Sequence, residues 1–160
     1  MENYQKITNH KKFIQYLIQI KEIEKNRVFC RHSVEHLLDV ARIAYILNLE
    51  QGFGLSKDVI YGAALLHDIG KVEQYEKKLP HEITGSVKCE KILNECGYKE
   101  HQIEMIKTAI LHHRRGDDPK ENVLSKLLYE ADKKSRLCMY CEASKECNWK
   151  EESKNRILEH

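Results

Sequence analysis

Apolar residues recur along this chain at the three-to-four-residue spacing of a helix, and nowhere at the alternation of a convincing strand. The first such stretch runs from Tyr4 to Glu24, with Ile7, Ile14, Leu17, Ile18 and Ile20 among its apolar positions. The second starts at Ser33, a side chain suited to capping a helix, and continues through Leu37, Val40, Ala41, Ala44 and Leu47 until Gly52 and Gly54 end it. Ser56 and Asp58 open a third, which runs into His67-Asp68 and is stopped by Gly70. After Pro80, Thr84 caps a fourth helix through Val87, Ile92 and Leu93, with Gly97 past its end. A fifth covers Glu100 to His113, with Ile103, Ile106, Ile110 and Leu111 inside; Gly116-Asp117-Asp118-Pro119 reads as a turn. A sixth runs from Glu121 to about Leu137, and a short tail helix follows Trp149. The pattern predicts an all-α fold: a single compact multi-helix domain over residues 1–157, with a cysteine-containing tail at 138–157. The terminal Leu158-Glu159-His160 reads as a tag remnant.

Composition narrows the classes of function. The 160 residues carry 27 Lys and Arg against 25 Asp and Glu, a formal charge of +2, with the two signs mixed along the chain. A dedicated nucleic-acid binder would show a basic face or arm instead. The stretch Met1–Lys6 is polar and starts no signal peptide, and no apolar run approaches the roughly 18 residues of a membrane span. The expected location is cytoplasmic, where the six cysteines would be reduced rather than disulfide-bonded.

The chemistry gathers at helix ends. His67-Asp68 closes the apolar run Ala64-Leu65-Leu66, and Ile69-Gly70-Lys71 follows. Imidazole and carboxylate are the ligands that hold borderline and hard divalent metals. His32 and His36 are four apart and share a helix face. His81 opens the segment after Pro80, His112-His113 ends the fifth helix, and Asp132 lies in the sixth. Most of these groups are flanked by apolar residues. A buried histidine or carboxylate without a partner is costly, and a shared metal would satisfy several at once.

The order His36, His67-Asp68, Asp132 resembles that of the HD-domain superfamily of metal-dependent phosphohydrolases. His36-Leu37-Leu38-Asp39-Val40-Ala41-Arg42-Ile43-Ala44 resembles the family's first-ligand helix. Ala64 to Lys71 resembles its namesake motif in the "HDIG" variety, and Glu130-Ala131-Asp132-Lys133 its last-ligand helix. His81-Glu82-Ile83-Thr84-Gly85 and Ile110-Leu111-His112-His113 resemble the extra histidines of the two-metal subgroup. The resemblance implies that His36, His67, Asp68 and Asp132 hold a first ion. Asp68 would bridge to a second held by His81 with His112 or His113, with His113 slightly preferred. Iron or manganese suits this donor set best; zinc, nickel, cobalt or magnesium are alternatives. The implied activity is hydrolysis of a phosphoester or phosphoanhydride, in a nucleotide or related small phosphate, by a metal-bound hydroxide. Arg114-Arg115-Gly116-Asp117 stands where the family's cyclic-dinucleotide phosphodiesterases carry a Gly-Tyr-Pro element, and the Thr-Thr pair of its polyphosphate hydrolases is also absent, so neither specialised substrate is implied.

Around these ligands, Lys71 lies inside the motif and is expected to act on a phosphate held at the metals. Arg114 and Arg115 could clamp phosphate oxygens, and His32 could line the pocket. Lys133 and Arg136 read as structural or surface charges. Cys138-Met139-Tyr140-Cys141 with Cys147 offers three sulfurs toward a structural zinc, and a closed site needs a fourth ligand from Cys30, Cys89, Cys96 or a histidine. A redox-active pair and reduced, unligated thiols are the alternatives. Two other functions stay open: a di-iron oxygenase using the same ligands, and a non-catalytic nucleotide or metal sensor. The oligomeric state is not legible.

Overall fold

The helical spacing is realised throughout the computed structural model, which describes residues 2–115 and 122–160. Among the described residues every regular element is a helix: α1 (Asn3–Thr8), α2 (Lys11–Ile23), α3 (Val34–Glu50), α4 (Lys57–Leu66), α5 (Lys71–Lys77), α6 (His81–Cys96), α7 (Glu100–His112) and α8 (Val123–Lys134). Two three-residue 3-10 turns follow, at Cys138–Tyr140 and Glu151–Ser153. None of the described helices is long and apolar enough to cross a membrane.

Helix α4 is the axis of the bundle. Its sequence Val59-Ile60-Tyr61-Gly62-Ala63-Ala64-Leu65-Leu66 is apolar on nearly every side, and all but Tyr61 are buried. Helices α3, α7, α1, α8 and α6 pack around it. Ser56 caps its start by accepting a hydrogen bond from the Val59 N–H. Gly62 is required for this packing, because a Cβ there would stand 2.7 Å from the Tyr98 hydroxyl oxygen. Truncating a fully buried residue such as Leu65 would cost about 2–5 kcal/mol.

Four local details differ from the periodicity. The first stretch is two helices, because His10 starts a new one: its Nδ1 accepts from the Lys12 N–H and Asn9 closes α1. Helix α5 is too short, with only Val72 buried, to leave a periodic signal. Helix α6 begins at His81, with Pro80 at its N-cap, so Thr84 lies inside it and its hydroxyl donates to the Gly70 carbonyl at 3.3 Å. Residues after Trp149 form the single 3-10 turn Glu151–Ser153 rather than an α-helix. The predicted turn at 116–119 and helix start at Glu121 lie outside the described residues; from Asn122 on, α8 is capped by that side chain and ends at Lys134.

Gly70 has an ordinary helical φ of −77°, so its role is not a turn conformation. A Cβ at this position would stand 2.2 Å from the His81 carbonyl oxygen and 2.7 Å from the Gly85 nitrogen. The glycine lets the end of the Asp68 motif touch the start of α6, and this contact delivers His81 to Asp68.

Candidate metal centre

The end of α4, the start of α6, the end of α7, the first turn of α3 and the last turns of α8 meet at one point. Two groups of three ligand atoms form there, the atoms of each lying within 4.8 Å of one another: His36, His67 and Asp132, and Asp68, His81 and His113. Asp68, 3 % exposed, joins them. Its Oδ2 lies 3.0 Å from His67 Nε2 and 3.5 Å from His36 Nε2, and its Oδ1 lies 3.4 Å from His81 Nε2. Asp132 Oδ1 stands 3.2 Å from His36 Nε2 and 3.8 Å from His67 Nε2. On the other side, His81 Nε2 and His113 Nε2 face each other at 3.1 Å.

Backbone hydrogen bonds set the tautomers. His67 Nδ1 donates to the Ala64 carbonyl at 2.7 Å, and His113 Nδ1 donates to the Ile110 carbonyl at 2.6 Å. A carbonyl only accepts, so each Nδ1 carries a hydrogen and each Nε2 is left to face the cluster. His67 Nε2, Asp68 Oδ2 and Asp132 Oδ1 are all buried without a hydrogen-bond partner. Lone pairs pointed at carboxylate oxygens in a buried site require a cation. The donor set fits a divalent ion: neutral imidazole nitrogens and carboxylate oxygens whose outer partners already orient them.

The electrostatics agree. Burial opposes a charge on His67, but Asp68 and Asp132 outweigh it and hold its pKa up to about 10. Burial favours neutral carboxyls at Asp68 and Asp132, yet the surrounding histidines hold both well below the usual range. His81 is driven down to about 2 by burial and by Lys71, and burial together with His67 lowers His113. The first group thus holds a proton where a cation belongs, while the second presents neutral nitrogens.

The remaining candidates fall into place unevenly. Lys71 is lowered by burial and reaches within 3.9 Å of Asp68 Oδ1. His113 belongs to the second group, whereas His112, half-buried one residue earlier, is in neither. Arg114 lines the cavity above the centre and pairs with Glu82 at 3.5 Å; Arg115 is exposed and lies off that cavity. His32 lines the cavity too, held by a partner the sequence did not suggest: Glu24, whose two oxygens accept from the His32 backbone N–H at 2.8 Å and from Nδ1 at 2.5 Å. Tyr75 donates to the same carboxylate. Burial alone would raise Glu24, but these donors pull it down to about 2, while burial lowers His32. Glu24 only accepts here, so Nδ1 is the donor, and burial disfavours a second proton on Nε2.

Arg136 is not a surface charge. It is largely buried, its Nη2 lies 3.0 Å from His36 Nε2 and 3.8 Å from Asp132 Oδ1, and its Nη1 donates to the Arg31 carbonyl. The i, i+4 spacing from Asp132 on α8 was the only signal that could have found it. Lys133, likewise read as a surface charge, lines the cavity and sits over the rings of Tyr129 and Trp149.

A family model described as HD domain matches residues 33–137, a span that contains all six residues of the two groups. The chain belongs to the HD-domain family. An uncharacterised protein of Clostridium beijerinckii is 47 % identical to this HD-domain chain over 155 residues, covering 97 % of each. Among solved structures, a predicted HD superfamily hydrolase from an uncultured Thermotogales bacterium superposes with a TM-score of 0.64 over 89 % of this chain and 81 % of that one, at 20 % identity. At that identity the likeness bears on the fold alone.

Proposed function

We propose that this HD-domain protein is a phosphohydrolase acting on a nucleotide or a similarly small phosphate ester or anhydride, with two divalent transition ions, iron or manganese, in the paired groups. The observation that carries the reading is Asp68, which directs one carboxylate oxygen into each group and leaves Oδ2 buried without a hydrogen-bond partner. Paired ions bound there would lower the pKa of a water and polarise a phosphoryl oxygen.

The chain's own residues supply the rest. The cavity over the centre has a volume of about 750 Å³ and six cationic side chains on its walls: Arg27, Lys71, Arg114, Lys133, Arg136 and Lys154. The acids there are Asp39, Asp68 and Asp132, two of which belong to the metal groups. A lining so biased attracts an anion, and Lys71 and Arg136, both close to Asp68 or Asp132, are placed to bind phosphoryl oxygens. Phe29, Tyr129 and Trp149 also line the cavity and offer flat apolar faces for a base. Neutral His32, fixed by Glu24, offers an acceptor nitrogen that suits a hydroxyl of the substrate better than a phosphate oxygen.

The test is hydrolysis of nucleotides and of a generic phosphodiester by metal-free protein reloaded with manganese or iron. Metal-dependent turnover that disappears in folded Asp68→Ala is the expected result. Full activity in that variant would overturn the reading. Substrate-dependent oxygen uptake by the iron-loaded protein, without phosphate release, would replace it with an oxygenase.

A further inference from the structure

Four of the six cysteines gather on one wall of the same cavity. Cys30 comes from the segment between α2 and α3, and Cys138, Cys141 and Cys147 come from the segment after α8; all four line the cavity. Each is half-buried and none is in a disulfide. The other two belong elsewhere: Cys89 and Cys96 are buried in α6, and the Cys89 thiol donates to the Ser86 carbonyl. Of the three other cysteines, Cys30 alone lines the cavity with the tail thiols.

The backbone around the thiols is shaped for a common centre. Cys138–Tyr140 is a 3-10 turn closed by the Cys141 N–H donating to the Cys138 carbonyl at 3.3 Å. The turn brings the backbones of Cys138 and Cys141 together. Arg27 Nε donates to the Cys30 carbonyl at 2.8 Å, and Arg136 Nη1 to the neighbouring Arg31 carbonyl at 2.9 Å. The four groups are within electrostatic reach of one another: burial pushes the Cys30 thiol up, Arg136 draws it back, and Cys138, Cys141 and Cys147 each push it up again.

Apolar burial does little to hold the tail. Among residues 135–160 only Ala143 is buried. The tail's ties to the rest of the fold include Asn155 Nδ2 donating to the Lys133 and Arg136 carbonyls at 2.6 and 2.8 Å. Within the tail, Lys154 Nζ donates to the Ser144 carbonyl at 2.7 Å. Ordering a residue costs about 1–2 kcal/mol of backbone entropy, and a hydrogen bond returns a net of about 1 kcal/mol. One buried alanine does not close that gap, whereas a thiolate-bound metal does.

We propose that Cys30, Cys138, Cys141 and Cys147 bind one zinc ion in a closed tetrathiolate site, which fastens the tail to the segment before α3 and completes the wall of the cavity. Soft thiolates select zinc over the harder ions suited to the histidine–aspartate groups. Four thiolates around a dication carry a net charge of −2, and Arg27, Arg136 and Lys154 on the same wall lie nearby to balance it. No three of these sulfurs stand within the 4.8 Å that relates the histidine–aspartate ligand atoms, so binding draws the two segments together. Cys30 lies two residues before His32, so the ion would also steady that side of the cavity.

The proposal does not depend on the catalytic reading, and its test needs no activity. Full-length protein purified without chelators is treated with a thiol-specific mercurial, and zinc release is followed with a chromogenic chelator. Release of one zinc per chain from the wild type and from Asp68→Ala, and none from Cys30→Ser or Cys141→Ser, is expected. Absence of release from the wild type, undiminished release from Cys30→Ser, or iron with acid-labile sulfide in place of zinc would overturn it. Should the cysteine variants fail to fold, alkylation of the wild type decides. Protection of these four thiols that is lost on chelation supports the site, and equal labelling before and after chelation defeats it.

Discussion

The two sides of the cavity are built in opposite ways. The floor, with the histidine–aspartate centre, stands on the ends of helices whose other side chains form the core: Leu65 and Leu66 before His67, Ile110 before His113, Leu127 and Leu128 before Asp132. The opposing wall, from residues 25–31 and 135–160, buries Ala143 alone. Ligands of a reactive centre need positions fixed to a fraction of an ångström, which a close-packed core provides. A substrate wall tolerates looser support, and here hydrogen bonds such as those from Arg136 and Asn155 hold it.

The contrast predicts large chemical effects on the floor and smaller effects around it. The largest is expected from Asp68→Ala, which takes the shared carboxylate from both groups. Metal content should fall and hydrolysis drop by about 10³-fold or more, since Lewis-acid stabilisation amounts to several kcal/mol. Elemental analysis alongside the activity assay checks this.

Next is Gly70→Ala, which inserts a methyl group where the His81 carbonyl stands. Overpacking of this kind costs about 1–3 kcal/mol and would displace His81. Denaturant unfolding should show the loss of stability, and metal titration a weakened second ion with the first retained. A Gly70→Ala protein with unchanged stability would mean that the contact between the motif and α6 does not govern the floor.

Glu24→Gln probes the boundary between the two sides. Glu24 is held at about 2 in the folded protein against an ordinary 4.5. A depressed carboxylate contributes stability that is complete above the unfolded value and is lost as pH falls through 4.5 toward 2. The contribution is on the order of 3 kcal/mol at neutral pH. Thermal melts should therefore show the wild type losing its advantage over Glu24→Gln across that acid window. In turnover, a loosened His32 should cost about 10–100-fold.

The smallest effect is expected at the rim, just past the floor ligand His113. Arg114 is about half exposed and paired to Glu82, so Arg114→Ala should raise KM by less than about tenfold with kcat little changed. A loss in kcat equal to that of Asp68→Ala would erase the distinction between the floor and its surroundings.

Much of this was legible in the chain. His36, His67, Asp68, His113 and Asp132 stood beside apolar helical runs and His81 just past Pro80, and the fold brings these six together. Arg136 and Glu24 were not legible, because a charged residue near a motif has the same sequence appearance whether its side chain turns inward or out. Helix α5 escaped for a related reason: seven residues with one buried side chain carry no period.

The choice between His112 and His113 shows where sequence stops. Successive residues on a helix point about 100° apart, so one of two adjacent histidines can face the centre, and the packing of α7 through Ile106, Ala109 and Ile110 decides which. By itself the sequence determined the longer helices, the all-α class and the donor types, because periodicity and residue chemistry are local properties. Tertiary structure alone decided that Asp68 serves both groups, that Gly70 admits His81, and that Cys30 lines the same cavity as cysteines more than a hundred residues away. These depend on how closely separate helices and segments approach, and that distance is set by the whole packed core.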